Sequence, residues 1–142
     1  MAGTRKKSYL YNLLWTRWNL IRARNPTEEE YRQVLERKFQ NSNPRWLQSR
    51  SCLAQLVSIA RTNGMRTIVI PFPVLRGIHE EHYPFRAYIQ TVCSAAREAG
   101  AECLDVVPLL RRLDAPLRVS NVDPHPSAVV LKTVAMKLSE MW

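Results

Sequence analysis

The sequence has no long apolar run, no internal repeat and no low-complexity segment. No hydrophobic stretch approaches the roughly 20 residues that a helix needs to cross a bilayer. The basic start Arg5-Lys6-Lys7 is not followed by the apolar core of a signal peptide, because Asn12, Arg17 and Asn19 interrupt it. We therefore expect no secretion signal within this chain and no membrane as its partner.

Cysteine is also scarce, with only Cys52, Cys93 and Cys103 present. Their number is odd and their spacing shows no pairing pattern. We expect three free thiols, with Cys93 and Cys103 buried. Because free thiols persist in reducing compartments, this count favours a cytoplasmic location.

Acidic residues are missing from the first part of the chain. Residues 1–24 contain six Lys or Arg and no Asp or Glu, whereas the remainder carries 15 basic and 12 acidic residues. Since six of the nine excess charges lie in one segment, a uniformly basic face for nucleic acid is not indicated. One alternative stays open, in which Trp15 and Trp18 stack on bases and the arginines of this segment contact phosphates.

The length of 142 residues suits a single domain with its own core. We divide the domain into a helical N-terminal segment, residues 1–43, and an α/β part, residues 44–142. A helix over 8–23 carries an apolar stripe formed by Leu10, Leu13, Leu14, Trp18 and Ile21. A second helix begins at the capping box of Thr27 and Glu30, and a third runs from Pro44 to a stop at Asn63-Gly64, with Leu56 on its apolar face.

From Pro44 onward, helices alternate with short β-branched runs. Strands are predicted over 66–71 and 102–107, the first of them buried on both faces, with a helix from about Pro84 to Gly100 between them. A last helix begins at Ala128 and should bury Leu131, Val134, Ala135, Leu138 and Met141. This order predicts an α/β fold, a partial doubly wound layer with about two parallel strands and four to five helices. Two strands leave an open sheet edge, so we also expect self-association.

The turn before the last helix brings an acid and a histidine into one short segment. Asp123 and His125 are one residue apart, and Pro124 and Pro126 restrict the backbone around them. A histidine can take a proton from a hydroxyl nucleophile when a carboxylate holds its ring in one tautomer. The simpler interpretation is that Asp123 or Ser127 caps the following helix next to a surface histidine.

Three segments together resemble the C-terminal part of the SGNH (GDSL-type) hydrolases. They are residues 61–71 with their Ile-Val-Ile-Pro strand end, residues 100–108 with Asp-Val-Val-Pro, and the Asp123-Pro124-His125-Pro126-Ser127 turn. The resemblance covers roughly residues 44–142. It implies a three-layer α/β/α (flavodoxin-like) fold that hydrolyses acyl or acetyl esters of carbohydrates or lipids without a cofactor. In the family's scheme a serine attacks the carbonyl, so the resemblance makes His125 the base and Asp123 its partner.

The nucleophile half of that scheme is absent from this sequence. The family's serine lies in a Gly-Asp-Ser turn, which does not occur here, and none of the four glycines is followed by the family's oxyanion-hole pattern. Ser127 fits better as a helix cap. The chain therefore resembles the C-terminal half of an SGNH hydrolase, and we expect it to be inactive alone.

Two other functions remain open from the sequence. A degenerate SGNH-like domain could serve interaction without catalysis. A metal-dependent hydrolase could use His79, His82, Asp123 and His125, although the spacing of His79 and His82 is one residue short of the His-Glu-X-X-His zinc motif.

Overall fold

The computed structural model of the protein describes residues 10, 13–15, 18, 27–120 and 123–141. The chain divides into two compact units, Met1–Tyr31 and Arg32–Trp142. Most of the helix predicted over 8–23 lies outside the described residues. Its described members Leu10, Leu13, Leu14, Trp15 and Trp18 are helical and exposed, so the described part of the predicted stripe does not form a core. Among the described residues, no helix combines the length and the apolar character that crossing a membrane requires.

The first complete helix, α1, spans Glu28–Lys38 and begins at the predicted capping box. The Thr27 N–H donates to Glu30 Oε2 at 2.7 Å, and the Glu30 N–H donates to Thr27 Oγ1 at 3.2 Å. The three glutamates of its first turn also interact favourably with the helix dipole. Local chemistry therefore fixes where this helix starts.

Helix α2 spans Pro44–Thr62 and is bounded by two asparagines. Asn43 Oδ1 accepts the N–H of Arg45 at 3.0 Å, and Asn63 follows the last turn. Gly64 then adopts a φ of +69°, which only glycine accepts without strain. Trp46 and Val57 are buried, whereas Leu56 is 57% exposed and was wrongly predicted to face the core.

The sheet consists of two short parallel strands, β1 (Ile68–Val69) and β2 (Glu102–Cys103). Ile68 pairs with Glu102 and Val69 with Cys103, so the predicted parallel pairing is confirmed. Both strands are shorter than predicted, and β1 is half-buried instead of buried on both faces. Shortly after β2, Asp105 Oδ1 accepts the Val107 N–H at 3.0 Å, and this local turn competes with extension of the strand towards Val107.

Helix α3 (Arg86–Glu98) connects the two strands, as the α/β order requires. It buries Ile89 and Ala96, and Gly100 ends the connection with a φ of +89°. A short helix, α4 (Val107–Leu110), follows β2, and α5 (Ala128–Ser139) closes the described chain. The described residues thus form a mixed structure of helices around a two-stranded parallel sheet, compatible with an α/β class.

The main core lies between α3, α4 and α5. Its fully buried side chains come from these helices, from the loop before α3 and from the residue before α4. The largest are Phe85, Ile78, Ile89, Leu110, Val106 and Val130. Helix α5 contributes Val130 and Val134, both buried, whereas the predicted core residues Leu131 and Ala135 are exposed. The predicted position Leu131 is thus wrong, and the neighbouring Val130 faces the core in its place. The packing partners of α5, which its own periodicity does not reveal, select Val130 instead of Leu131.

Cys93 and Cys103 form a disulfide, with their Cα atoms 5.3 Å apart. This corrects the prediction of three free thiols, of which only the exposed Cys52 remains. The pairing follows from the fold, because α3 packs against β2 and brings the buried Cys93 and the half-buried Cys103 together. With Cys93 and Cys103 bonded to each other, the cysteines of this chain no longer favour a reducing compartment.

Candidate functional site

Residues 117–119 and 125–127 lie antiparallel and hydrogen-bond to each other. The Ser127 N–H donates to the Leu117 carbonyl at 2.8 Å, and the Val119 N–H donates to the His125 carbonyl at 3.0 Å. An antiparallel bridge between Arg118 and Pro126 lies between these bonds. The His125 backbone is thereby held against a neighbouring strand-like segment.

Asp123 and His125 make the contact that their spacing predicts. His125 Nδ1 lies 2.5 Å from Asp123 Oδ1, and the same oxygen accepts the His125 backbone N–H at 3.0 Å. Asp123 is itself fixed by a bond from its N–H to Ser120 Oγ, also 3.0 Å long. One carboxylate oxygen therefore sets both the backbone turn and the orientation of the imidazole ring.

These bonds keep Asp123 ionised. The backbone N–H of His125 contributes most, followed by its ring nitrogen, and together they lower the pKa of the Asp123 carboxyl below its ordinary value of 3.8. Because an ionised carboxylate can only accept, the neutral imidazole must carry its proton on Nδ1. The lone pair of the ring then lies on Nε2.

The Nε2 side of the ring is open. The His125 side chain is 80% exposed, and none of the residues in 27–120 or 123–141 forms a hydrogen bond to Nε2. An imidazole with an oriented Nδ1–H and an open Nε2 has the arrangement of a general base. No described group occupies the position from which Nε2 would take a proton.

The role of helix cap falls to Ser127. Its Oγ accepts the Val130 N–H at 3.5 Å in the first turn of α5. Asp123 has no part in that cap, because its Oδ1 is already shared between the two nitrogens of His125. The interpretation of Asp123 as a simple helix cap is therefore replaced by a direct contact with the histidine.

His79 and His82 lie apart from this pair in two separate clefts. His79 lines an open cleft of about 570 Å³ together with residues 111–116. His82 lines a second cleft of about 440 Å³, which also contains Arg86 and Arg111. Neither lining includes Asp123 or His125, and the described chain contains no cluster of three or more potential ligands for a metal ion. The four residues of the metal hypothesis thus do not converge.

Arginine side chains in these clefts were not singled out from the sequence. Arg86 forms an ion pair with Asp105 at the end of β2, and Arg111 Nη2 donates to the Glu80 carbonyl at 2.6 Å. Their position in the sequence could have identified them, because Asp105 and Arg111 follow the carboxyl end of a strand, where functional groups of α/β sheets gather. The partners of both arginines are far away in the sequence, so no local pattern identifies them.

Comparisons with protein-family models, with curated proteins and with solved structures gave no match. Assignment of a function therefore depends on the geometry of the side chains and on the sequence motifs.

Proposed function

We propose that Asp123 and His125 are the orienting carboxylate and the general base of an SGNH-type ester hydrolase. One observation carries the proposal: His125 Nδ1 lies 2.5 Å from Asp123 Oδ1, while the Nε2 side of the ring is open to an incoming group. The parallel pair of β1 and β2, and the position of the Asp-His turn just before α5, agree with the order that the family resemblance implies.

The chemistry follows the two ring nitrogens. His125 Nε2 removes the proton of a serine hydroxyl as its oxygen attacks the ester carbonyl, and Asp123 stabilises the imidazolium that forms. The imidazolium then protonates the leaving alcohol as the C–O bond of the tetrahedral intermediate breaks. In the second half, water attacks the acyl-enzyme with His125 again as base, which releases the acid and restores the serine.

The serine of this scheme is one that the 142 residues do not supply. The sequence contains no Gly-Asp-Ser segment, so we propose that such a segment, with the oxyanion hole and further strands of the sheet, comes from a longer chain. The substrate class is an acyl or acetyl ester of a carbohydrate or lipid. The proposed complete fold is the three-layer α/β/α fold of the SGNH family.

The test compares this chain with a longer reading frame that extends upstream of Met1 and encodes a Gly-Asp-Ser turn. With 4-nitrophenyl acetate, the 142-residue chain should show almost no turnover, and the longer chain should hydrolyse it. His125→Ala in the longer chain should lower kcat by about 10⁴-fold or more, since triad members act as a unit. Asp123→Asn should lower it by about 10²-fold or more, because it removes control of the tautomer.

Lys132→Ala is the matched control, since Lys132 is an exposed residue on α5, the helix that follows the Asp-His turn. It should leave kcat unchanged. A longer chain that remains fully active with His125→Ala would refute the assignment, as would turnover near 1 s⁻¹ by the 142 residues alone.

The alternative function is a non-catalytic, SGNH-like interaction domain. The observation that favours it is the absence of a Gly-Asp-Ser turn from the sequence. A longest reading frame that folds, contains no such turn and hydrolyses no acetyl ester would support this alternative over the esterase.

A further inference from the structure

The cleft beside His79 is lined by more basic than acidic residues. Arg111, Arg112 and His79 are among the residues that line this space of about 570 Å³. Within residues 27–120 and 123–141, neither arginine forms an ion pair, and His79 has no hydrogen-bond partner. Asp114 is the one acid in the lining, so the cleft remains net positive with His79 neutral.

Arg111 is held in position by uncharged groups. Its Nη2 donates to the carbonyls of Glu80 and Glu81, at 2.6 and 3.4 Å, which joins the end of α4 to the loop that carries His79. Gly77 shapes this loop with a φ of +67°, and the Glu80 N–H donates back to the Gly77 carbonyl. Carbonyls orient a guanidinium without cancelling its charge, and the Nε and Nη1 donors of Arg111 have no partner in the described chain.

The wall of this cleft leads directly to the Asp-His turn. Residues Leu113–Pro116 line the cleft, and the next residue, Leu117, accepts the Ser127 N–H at 2.8 Å. The segment that lines the cleft thus continues into Leu117, which is hydrogen-bonded to Ser127 in the segment after the proposed base His125.

From this arrangement we infer that the cleft lined by His79, Arg111 and Arg112 binds a small oxyanion, either a carboxylate or a phosphate group. Guanidinium groups recognise such anions through paired, charge-assisted hydrogen bonds. For the proposed esterase, the anion would be a charged group on its substrate. Only that last assignment rests on the proposed function, since the oxyanion site itself does not depend on catalysis.

The test uses the ¹⁵N-labelled chain at low ionic strength, where screening is weak. Inorganic phosphate and 4-acetamidobenzoate should each shift the amide signals of His79 and of residues 111–116 in a saturable manner. The uncharged 4-acetamidobenzamide should not, because it offers the same ring without the carboxylate. Arg112→Ala should raise Kd for both anions about tenfold, the effect of losing one charge-assisted bond.

Arg61→Ala is the matched control, since Arg61 is exposed on α2 and lines neither cleft. It should leave Kd unchanged. His125→Ala should also bind both anions normally, which separates this inference from the esterase proposal. The inference is overturned if neither anion gives saturable shifts, or if Arg61→Ala weakens binding as much as Arg112→Ala does.

Discussion

At the scale of single residues, Asp123 has the most distinctive environment in the candidate site. Its pKa is lowered by the N–H groups of His125, so its ionised form is stabilised by folding. Because the pKa of Asp123 is lower in the folded than in the unfolded chain, its contribution to stability is complete above the ordinary value of 3.8. This contribution is lost as the pH falls through the lower pKa of the folded chain. The turn should therefore be unchanged from pH 5 to 8 and loosen only below about pH 4.

Carboxyl ¹³C shifts followed against pH measure this directly. The midpoint for Asp123 should lie below 3.8, and His125→Ala should move it part of the way back, since the ring contact is lost and the backbone N–H remains. Asp114 provides a comparison within the same spectra. An Asp123 midpoint at or above 3.8 would show that the contact with His125 does not form in solution.

At the scale of helices and strands, the bond between Cys93 and Cys103 links α3 to β2. The two residues are separated by 10 positions, and closing a loop of this size stabilises a fold by about 2 to 3 kcal/mol, mainly through the unfolded chain. Adding a reductant should therefore lower the free energy of unfolding measured with urea by that amount, and the urea midpoint should fall accordingly.

Two variants control this measurement. Cys52→Ser should respond to the reductant as the parent does, because Cys52 is exposed and outside the disulfide. Cys93→Ala with Cys103→Ala should be insensitive to it. Equal unfolding midpoints for the parent with and without reductant would contradict the bond.

Contacts between residues close in the sequence could be predicted, whereas contacts between distant residues could not. The capping box of Thr27 and Glu30 and the contact between Asp123 and His125 join residues two or three positions apart, so spacing alone predicts them. The disulfide and the bond from Arg111 to Glu80 join residues brought together by packing. The periodicity of α5 predicted Leu131 in the core, whereas the structure buries Val130, because the packing neighbours of α5 determine which side of the helix faces inward.

The short length of β2 reflects two sequence features that favour different structures. The apolar pattern of residues 102–107 predicts a strand, but the Asp105 side chain accepts the N–H of Val107 and so competes with strand pairing there. The helix that starts there removes Val107 from the strand and buries it in the core. A polar residue inside an apolar run was the available sign of this switch.

At the scale of the whole molecule, apolar surface is exposed on the second unit. Leu56 and Ile59 on α2, and Leu131 and Met136 on α5, are each more than half exposed, and β1 pairs within the described sheet on one side only. Exposed apolar patches and open strand edges favour association. We predict that the isolated chain forms dimers or larger species as its concentration rises.

Light scattering at increasing concentration measures this against the chain mass of 16.5 kDa. Sulfate should strengthen the association, since it favours burial of apolar surface, whereas contacts between opposite charges would weaken with salt. Leu131→Glu with Met136→Lys should reduce the association without changing net charge. A monomer at every concentration would refute the prediction.

The disulfide also determines how the chain reacts with thiol reagents. With Cys93 and Cys103 joined to each other, Cys52 in α2 is the sole cysteine left for a maleimide dye. The folded, oxidised protein should accept one label per chain, and the reduced, unfolded protein three. Counting the attached dyes by mass spectrometry therefore shows whether the bond between Cys93 and Cys103 is formed. The single attachment point also places a fluorophore on α2 without any mutation.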